Sequence, residues 1–251
     1  MGDAILICSG DSISTETSCV SSRNALGPWL HHSTTNSRRW GHSSVIADGH
    51  LHLIAGAYSG SEATMESFDE GGWTEQRLDF TIGLGSCSVN TSNDSFIVTG
   101  GTRSLRKTWE WKAGTWTELE EMKVGRKGHA CGTIVKEGKV FLVVAGGRDR
   151  NTIQSSEVFG EGKWQDMGDL VKARDGAKIV TMRVVGTQKM VIMGGSEGNN
   201  NDLNSVEELV VNDNVGQSTW QLSEETMKKE RILFGAVLVP KSKFPIPSSQ
   251  F

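Results

Sequence analysis

Five glycines, Gly10, Gly56, Gly101, Gly147 and Gly195, are spaced 46, 45, 46 and 48 residues apart. A period that long and that even marks a chain built from copies of one supersecondary unit, in which neighbouring copies bury each other's apolar faces. The fullest copy runs from Arg126 to Gly147, RKGHACGTIVKEGKVFLVVAGG. His129 to Val135 has the small and β-branched composition of a strand, and Lys136, Glu137 and Gly138 supply a turn. Val140 to Ala145 is too short for a buried helix, so the apolar run predicts a fully buried second strand. Gly146 and Gly147 end it, as happens where a backbone needs positive φ or another chain passes too close for a Cβ. Ser156 to Phe159 and Trp164 to Asp166 predict a third and a fourth strand. One copy is therefore a four-stranded antiparallel sheet.

Other residues keep step with the glycines. A tryptophan recurs at a like place after the glycine in each copy, at Trp29, Trp73, Trp116, Trp164 and Trp220. The third strands read MESFD from Met65, TWEWK from Thr108, SSEVF from Ser155 and SVEEL from Ser205. An arginine precedes the next first strand at Arg39, Arg126, Arg174 and Arg231, and His42 and His129 follow two of these. Together these motifs resemble the kelch repeat, a unit of about 50 residues found in β-propellers. The resemblance runs from about Ala4 to Val239. Two departures stand out. Tyr58 is the chain's one tyrosine, so Phe68, Trp111 and Phe159 take the packing place that kelch third strands usually give to tyrosine. The stretch from Asp79 to Val89, DFTIGLGSCSV, opens a copy without arginine or histidine.

The resemblance implies an all-β, kelch-type β-propeller of about five four-stranded blades over residues 1–240, with a flexible proline-rich tail at 241–251. Ala4 to Cys8 begins in a second strand, and RILFGAVLV, Arg231 to Val239, is a first strand with nothing after it. Pairing Phe234 to Val239 with Ala4 to Cys8 would close the ring and leave no open sheet edge. The alternative is an incomplete six-bladed ring.

Several function classes are disfavoured. The net charge is −4 with no basic stripe, which argues against nucleic acid, and no apolar run is long enough to cross a membrane. The start MGDAILICSG lacks the order of a signal sequence, and Cys8, Cys87 and Cys131 lie in predicted strands as small buried hydrophobes, so a reducing, cytoplasmic setting is expected. Asn90-Thr91-Ser92 and Asn93-Asp94-Ser95 are formal glycosylation sequons, without weight in such a setting. The four cysteines show no metal spacing, adjacent His31 and His32 would face opposite sides of a strand, and His50 and His52 share a face without further ligands. No G-x-S-x-G elbow occurs, no glycine pair leads into the Lys-Ser/Thr of a P-loop, and a single tyrosine does not suit copper radical oxidase chemistry. No metal, cofactor or catalytic residue is expected, and the tryptophans are read as packing between blades.

In the kelch proteins that this chain resembles, the loops between blades and those after the glycine pair gather around the channel and commonly bind a peptide or protein. Carried over, the partner-binding positions are Arg39, Arg126, Arg174 and Arg231 before the first strands, and Arg103, Arg148, Asn199 and Asn200 after the glycine pairs. A ring of planar guanidinium forks would suit an acidic segment. The opposing expectation is that each arginine pairs with a nearby carboxylate of the fold. The resulting reading is a non-catalytic interaction module, with recruitment of substrates to a ubiquitin ligase as one version. A kelch-like epimerase or lyase with a site in the channel mouth, or an actin-binding scaffold, are the alternatives. On the binding reading, Arg126→Ala with Arg174→Ala weakens partner capture without unfolding the domain.

Overall fold

The structure, a computed structural model, describes residues 5–8, 17–22, 30–56, 63–184, 187–199 and 201–232. Its strands form five antiparallel sheets in chain order. The first has three strands, β1 (Ile5–Cys8), β2 (Ser18–Ser22) and β3 (Leu30–Thr34). The second holds β4 (Ser43–Ala47), β5 (His50–Ile54), β6 (Thr64–Asp69) and β7 (Gly72–Arg77). The third holds β8 (Cys87–Ser92), β9 (Ser95–Thr99), β10 (Thr108–Lys112) and β11 (Thr115–Glu118). The fourth holds β12 (Ala130–Lys136), β13 (Lys139–Ala145), β14 (Ser156–Gly160) and β15 (Lys163–Met167). The fifth holds β16 (Lys178–Val184), β17 (Thr187–Met193), β18 (Ser205–Val210) and β19 (Thr219–Thr226). The four strands expected in the fullest copy are those of the fourth sheet. Trp29, Tyr58, Asn200 and residues 233–251 lie outside the described residues, and with them the expected ring closure and tail.

Tight turns follow from X-Gly pairs. Asp48-Gly49, Ala113-Gly114, Glu137-Gly138 and Glu161-Gly162 all have positive φ at both residues, the geometry whose twist matches two antiparallel strands. The first strands β4, β8, β12 and β16 stand beside one another in that order, so consecutive sheets are side by side. The core is accordingly divided into layers between sheets. One joins Val45, Ala47 and Ile54 to Phe96, Val98 and Trp111, and others follow between the third, fourth and fifth sheets. Outer strands face solvent more, as β7 and β11 do.

The glycine pair and the arginine that recur in sequence meet in space, across the boundary between sheets. Gly101 N–H donates to the Arg126 carbonyl at 3.1 Å, Gly147 to Arg174 at 2.6 Å and Gly195 to Arg231 at 2.7 Å. A Cβ on Gly100 would strike the Arg126 carbonyl oxygen, so the pair keeps its glycines because the next sheet's backbone lies against them. Three of the tryptophans also cross these boundaries. Trp164 Nε1 donates to Thr108 Oγ1 at 3.1 Å, Trp220 Nε1 to Ser156 Oγ at 3.1 Å and Trp73 Nε1 to Ser33 Oγ at 2.9 Å.

The cysteines differ from expectation. All four are paired, Cys8 with Cys19 inside the first sheet and Cys87 with Cys131 between β8 and β12. They are cross-links rather than free thiols, because repeat geometry places Cys87 and Cys131 on facing strands with Cα atoms 6.0 Å apart. No described helix is long and apolar enough to cross a membrane.

Candidate functional site

Three of the arginines expected to bind a partner are interior. Arg39 is 3% exposed, and Arg126 and Arg174 are fully buried. Arg126 Nε and Nη2 donate to Glu157 Oε1 at 3.2 and 2.9 Å, while Nη1 donates to the carbonyls of Gly146 and Ser155, each at 2.8 Å. Arg174 makes the same set with Glu207, Gly194 and Ser205. Arg39 is similar with Ala55, Thr64 and Glu66, but only its Nε reaches Glu66, and Nη2 donates to Thr64 Oγ1 and Glu75. Each carboxylate also takes two main-chain N–H groups from just before the arginine, one on each oxygen, Asn36 and Ser37 for Glu66, Lys123 and Val124 for Glu157, Val171 and Lys172 for Glu207. Each guanidinium thus clamps its own sheet's glycine turn and third strand. It has neither exposure nor spare donors for a partner, which corrects the assignment of Arg39, Arg126 and Arg174. Burial pulls Arg126 below its ordinary value and Glu157 pushes back.

The third sheet shows what replaces the clamp. Register puts Trp109 opposite Val98 where Glu157 lies opposite Val144, and Gly83, whose carbonyl accepts from Gly56 N–H, stands where the other sheets have arginine. Both charges are absent together. Trp109 stacks on Phe80 instead, with ring centroids 4.6 Å apart, beside fully buried Ile82. An apolar substitute of similar volume can match a buried ion pair, whereas half a pair cannot.

Around the innermost strands the sheets are stitched glycine to glycine. Gly85 N–H donates to the Gly41 carbonyl at 2.8 Å, Gly128 to Gly85 at 2.7 Å and Gly176 to Gly128 at 2.8 Å. All four have positive φ, and the residue before each glycine covers the glycine of the preceding sheet. Leu84 lies against Gly41, Lys127 against Gly85 and Asp175 against Gly128. Trp40 occupies the equivalent position in the second sheet. These residues form a rim at one end of the first strands, and the loops after the glycine pairs bond to them. Lys127 and Arg148 exchange main-chain bonds of 3.0 and 2.8 Å, and Asp175 and Ser196 bonds of 3.0 and 2.9 Å. Arg103, Arg148 and Asn199, three of the expected positions, are exposed in these loops. Arg148 Nη1 approaches Asp175 Oδ2 at 3.6 Å. Arg231 has the backbone role of its counterparts, but its side chain is exposed. The rim residues Trp40, Leu84, Lys127 and Asp175 were missed because they vary from copy to copy, while a search for repeats rewards sameness.

Two histidines lie behind this rim. His129 is buried, with Nε2 2.8 Å from Thr99 Oγ1. Burial, with Arg126 and Lys178 adding repulsion, lowers its pKa to about 3. His42 is lowered to about 4 by burial, Arg39 and Lys178. Both stay neutral in the folded chain at pH values where they protonate once unfolded. The unfolded state therefore binds more protons below pH 6.5, and stability falls as the pH drops from there toward 4 and then 3. Between pH 7 and pH 5, wild type should lose about 2 kcal/mol more than His129→Gln in urea unfolding. Equal losses would show that His129 is not held neutral.

No protein-family model matches the chain, and no curated protein matches it. In structure it is similar to YjhT, with a TM-score of 0.65 and 14% sequence identity over 81% of this chain and 75% of that one. The likeness is one of fold. With five antiparallel sheets standing side by side, the fold is all-β and propeller-like.

Proposed function

We propose that the chain is a non-catalytic binding module, a kelch-type propeller of about five blades, whose mouth holds a peptide or protein segment. One contrast between the copies carries this reading. Where the fold needs a residue, the copies agree, as at Gly41, Gly85, Gly128 and Gly176 and, in the second, fourth and fifth sheets, in the Arg–Glu clamps. At the rim position beside each of those glycines they read Trp40, Leu84, Lys127 and Asp175. Identical backbone with unlike side chains is what a surface selected for recognition looks like.

Trp40 and Leu84 make an apolar side on the second and third sheets. Arg103, Lys127 and Arg148 make a basic side on the third and fourth, and Asn199 and Arg231 extend the rim. The fitting partner is an acidic segment with an adjacent apolar residue, since rim charges steer and buried apolar anchors hold. Paired cysteines persist in oxidising surroundings, so we favour an extracellular version over a cytoplasmic adaptor for a ubiquitin ligase. Selection from a displayed random-peptide library is expected to return acidic-apolar sequences that slow amide exchange at residues 40–42, 84–86, 127–129 and 147–151. Selected peptides that protect only the opposite face would overturn the assignment.

A channel-mouth enzyme of the epimerase or lyase type is the second reading. It is favoured by half-buried Asp175, which desolvation raises, and by Lys178 three residues on, whose ammonium the surrounding protein lowers although its side chain is exposed. Under it, Lys178→Met abolishes turnover and leaves peptide binding intact.

A further inference from the structure

We propose that Asn90 carries an N-linked glycan whose first sugars fill the cavity on the face opposite the mouth. This cavity, about 590 Å³, lies among the hairpins that join first and second strands in the second, third and fourth sheets. Its volume is in the range of about 300–1,000 Å³ that takes compact ligands. Three apolar residues line it while facing water, Ile46 at 64%, Val135 at 43% and Val140 at 38% exposed. Apolar side chains gathered around one concavity point to something that covers them.

Asn90 is in the same lining and opens the sequon Asn90-Thr91-Ser92. It is exposed, and its Nδ2 donates to the Ile46 carbonyl across the sheet boundary, beside the apolar floor. An amide nitrogen carries two protons, so one can be replaced by sugar while the other keeps the Ile46 bond. The second sequon begins at Asn93, in the hairpin turn. Its carbonyl accepts from Asp48 N–H. N-glycans are added in the same oxidising pathway in which bonds such as Cys8–Cys19 and Cys87–Cys131 form.

The transfer uses a polyprenyl-pyrophosphate-linked oligosaccharide. The bond between the first sugar's anomeric carbon and the pyrophosphate oxygen breaks, and that carbon bonds to Asn90 Nδ2. The amide proton leaves with the polyprenyl pyrophosphate. Transfer precedes pairing of β8 in the sheet, and the folded cavity then receives the sugar.

The test takes the protein from the cells that make it, alkylates it without reduction, digests it and treats the peptides with peptide N-glycosidase in ¹⁸O-water. The expected result is aspartate carrying ¹⁸O at residue 90. An unmodified Asn90 overturns the proposal, including when Asn93 alone is labelled or when the cysteines prove paired. Intact and enzymatically deglycosylated protein are then compared with an apolar fluorescent dye. Deglycosylated protein is expected to bind several-fold more, and equal binding overturns the covered cavity.

Discussion

Arg126→Ala is expected to lower folding stability by about 3–5 kcal/mol, because it leaves the Glu157 carboxylate buried without its counter-charge. Glu157 is 1% exposed, and the main-chain N–H groups of Lys123 and Val124 alone would have to hold its charge. Urea unfolding followed by tryptophan fluorescence checks this, with Arg174→Ala behaving alike. Removing both members in the manner of the third sheet should cost less than removing one. The double variant Arg126→Met, Glu157→Leu is expected to recover most of the loss, since coupled residues do not add. A loss under about 1 kcal/mol for Arg126→Ala would mean that the clamp does not hold the sheet. The sequence-based expectation that Arg126→Ala and Arg174→Ala spare the fold is thereby replaced by its opposite.

The second large effect concerns the bond between Cys87 and Cys131. Cross-linking residues 44 apart is worth about 4 kcal/mol by restriction of the unfolded chain, against about 3 kcal/mol for Cys8 and Cys19, which are 11 apart. The longer bond also ties two sheets through their innermost strands, whereas the shorter joins opposed residues of one sheet. Cys87→Ser with Cys131→Ser should lower the urea midpoint more than Cys8→Ser with Cys19→Ser. Reduction of wild type should reproduce the sum of the two. A midpoint unmoved by reduction would contradict the pairing.

How much was legible follows from which signals are local. Strands, turns and glycine pairs are written in adjacent residues, and β12 to β15 fall within a residue or two of expectation. The Arg–Glu clamps are not local. Arg39, Arg126 and Arg174 find their carboxylates 27, 31 and 33 residues on, inside third strands whose acidic residues had been read as repeat signature alone. Asp149 and Asp175, the acids beside Arg148 and Arg174 in sequence, lie on the rim instead. The clue was the joint loss of arginine and glutamate in the copy with Gly83 and Trp109. For Cys87 and Cys131 the clue was a separation near one repeat, which sets residues on neighbouring sheets facing each other. Nothing local distinguished the rim residues, because each is explained by its neighbours in space.

The claim that binding belongs to the exposed rim and not to the repeated arginines is tested most directly by one affinity. The measurement is the dissociation constant of a selected acidic-apolar peptide for Arg103→Ala with Arg148→Ala, beside wild type. Losing Arg148 also takes one of the two nearby cations from Asp175, so both effects repel an acidic ligand. The expected result is a loss of about tenfold or more, near 1.4 kcal/mol, with unfolding free energy within about 0.5 kcal/mol of wild type. Unchanged affinity in the folded double variant would contradict the account and remove the basic side of the mouth from the binding site.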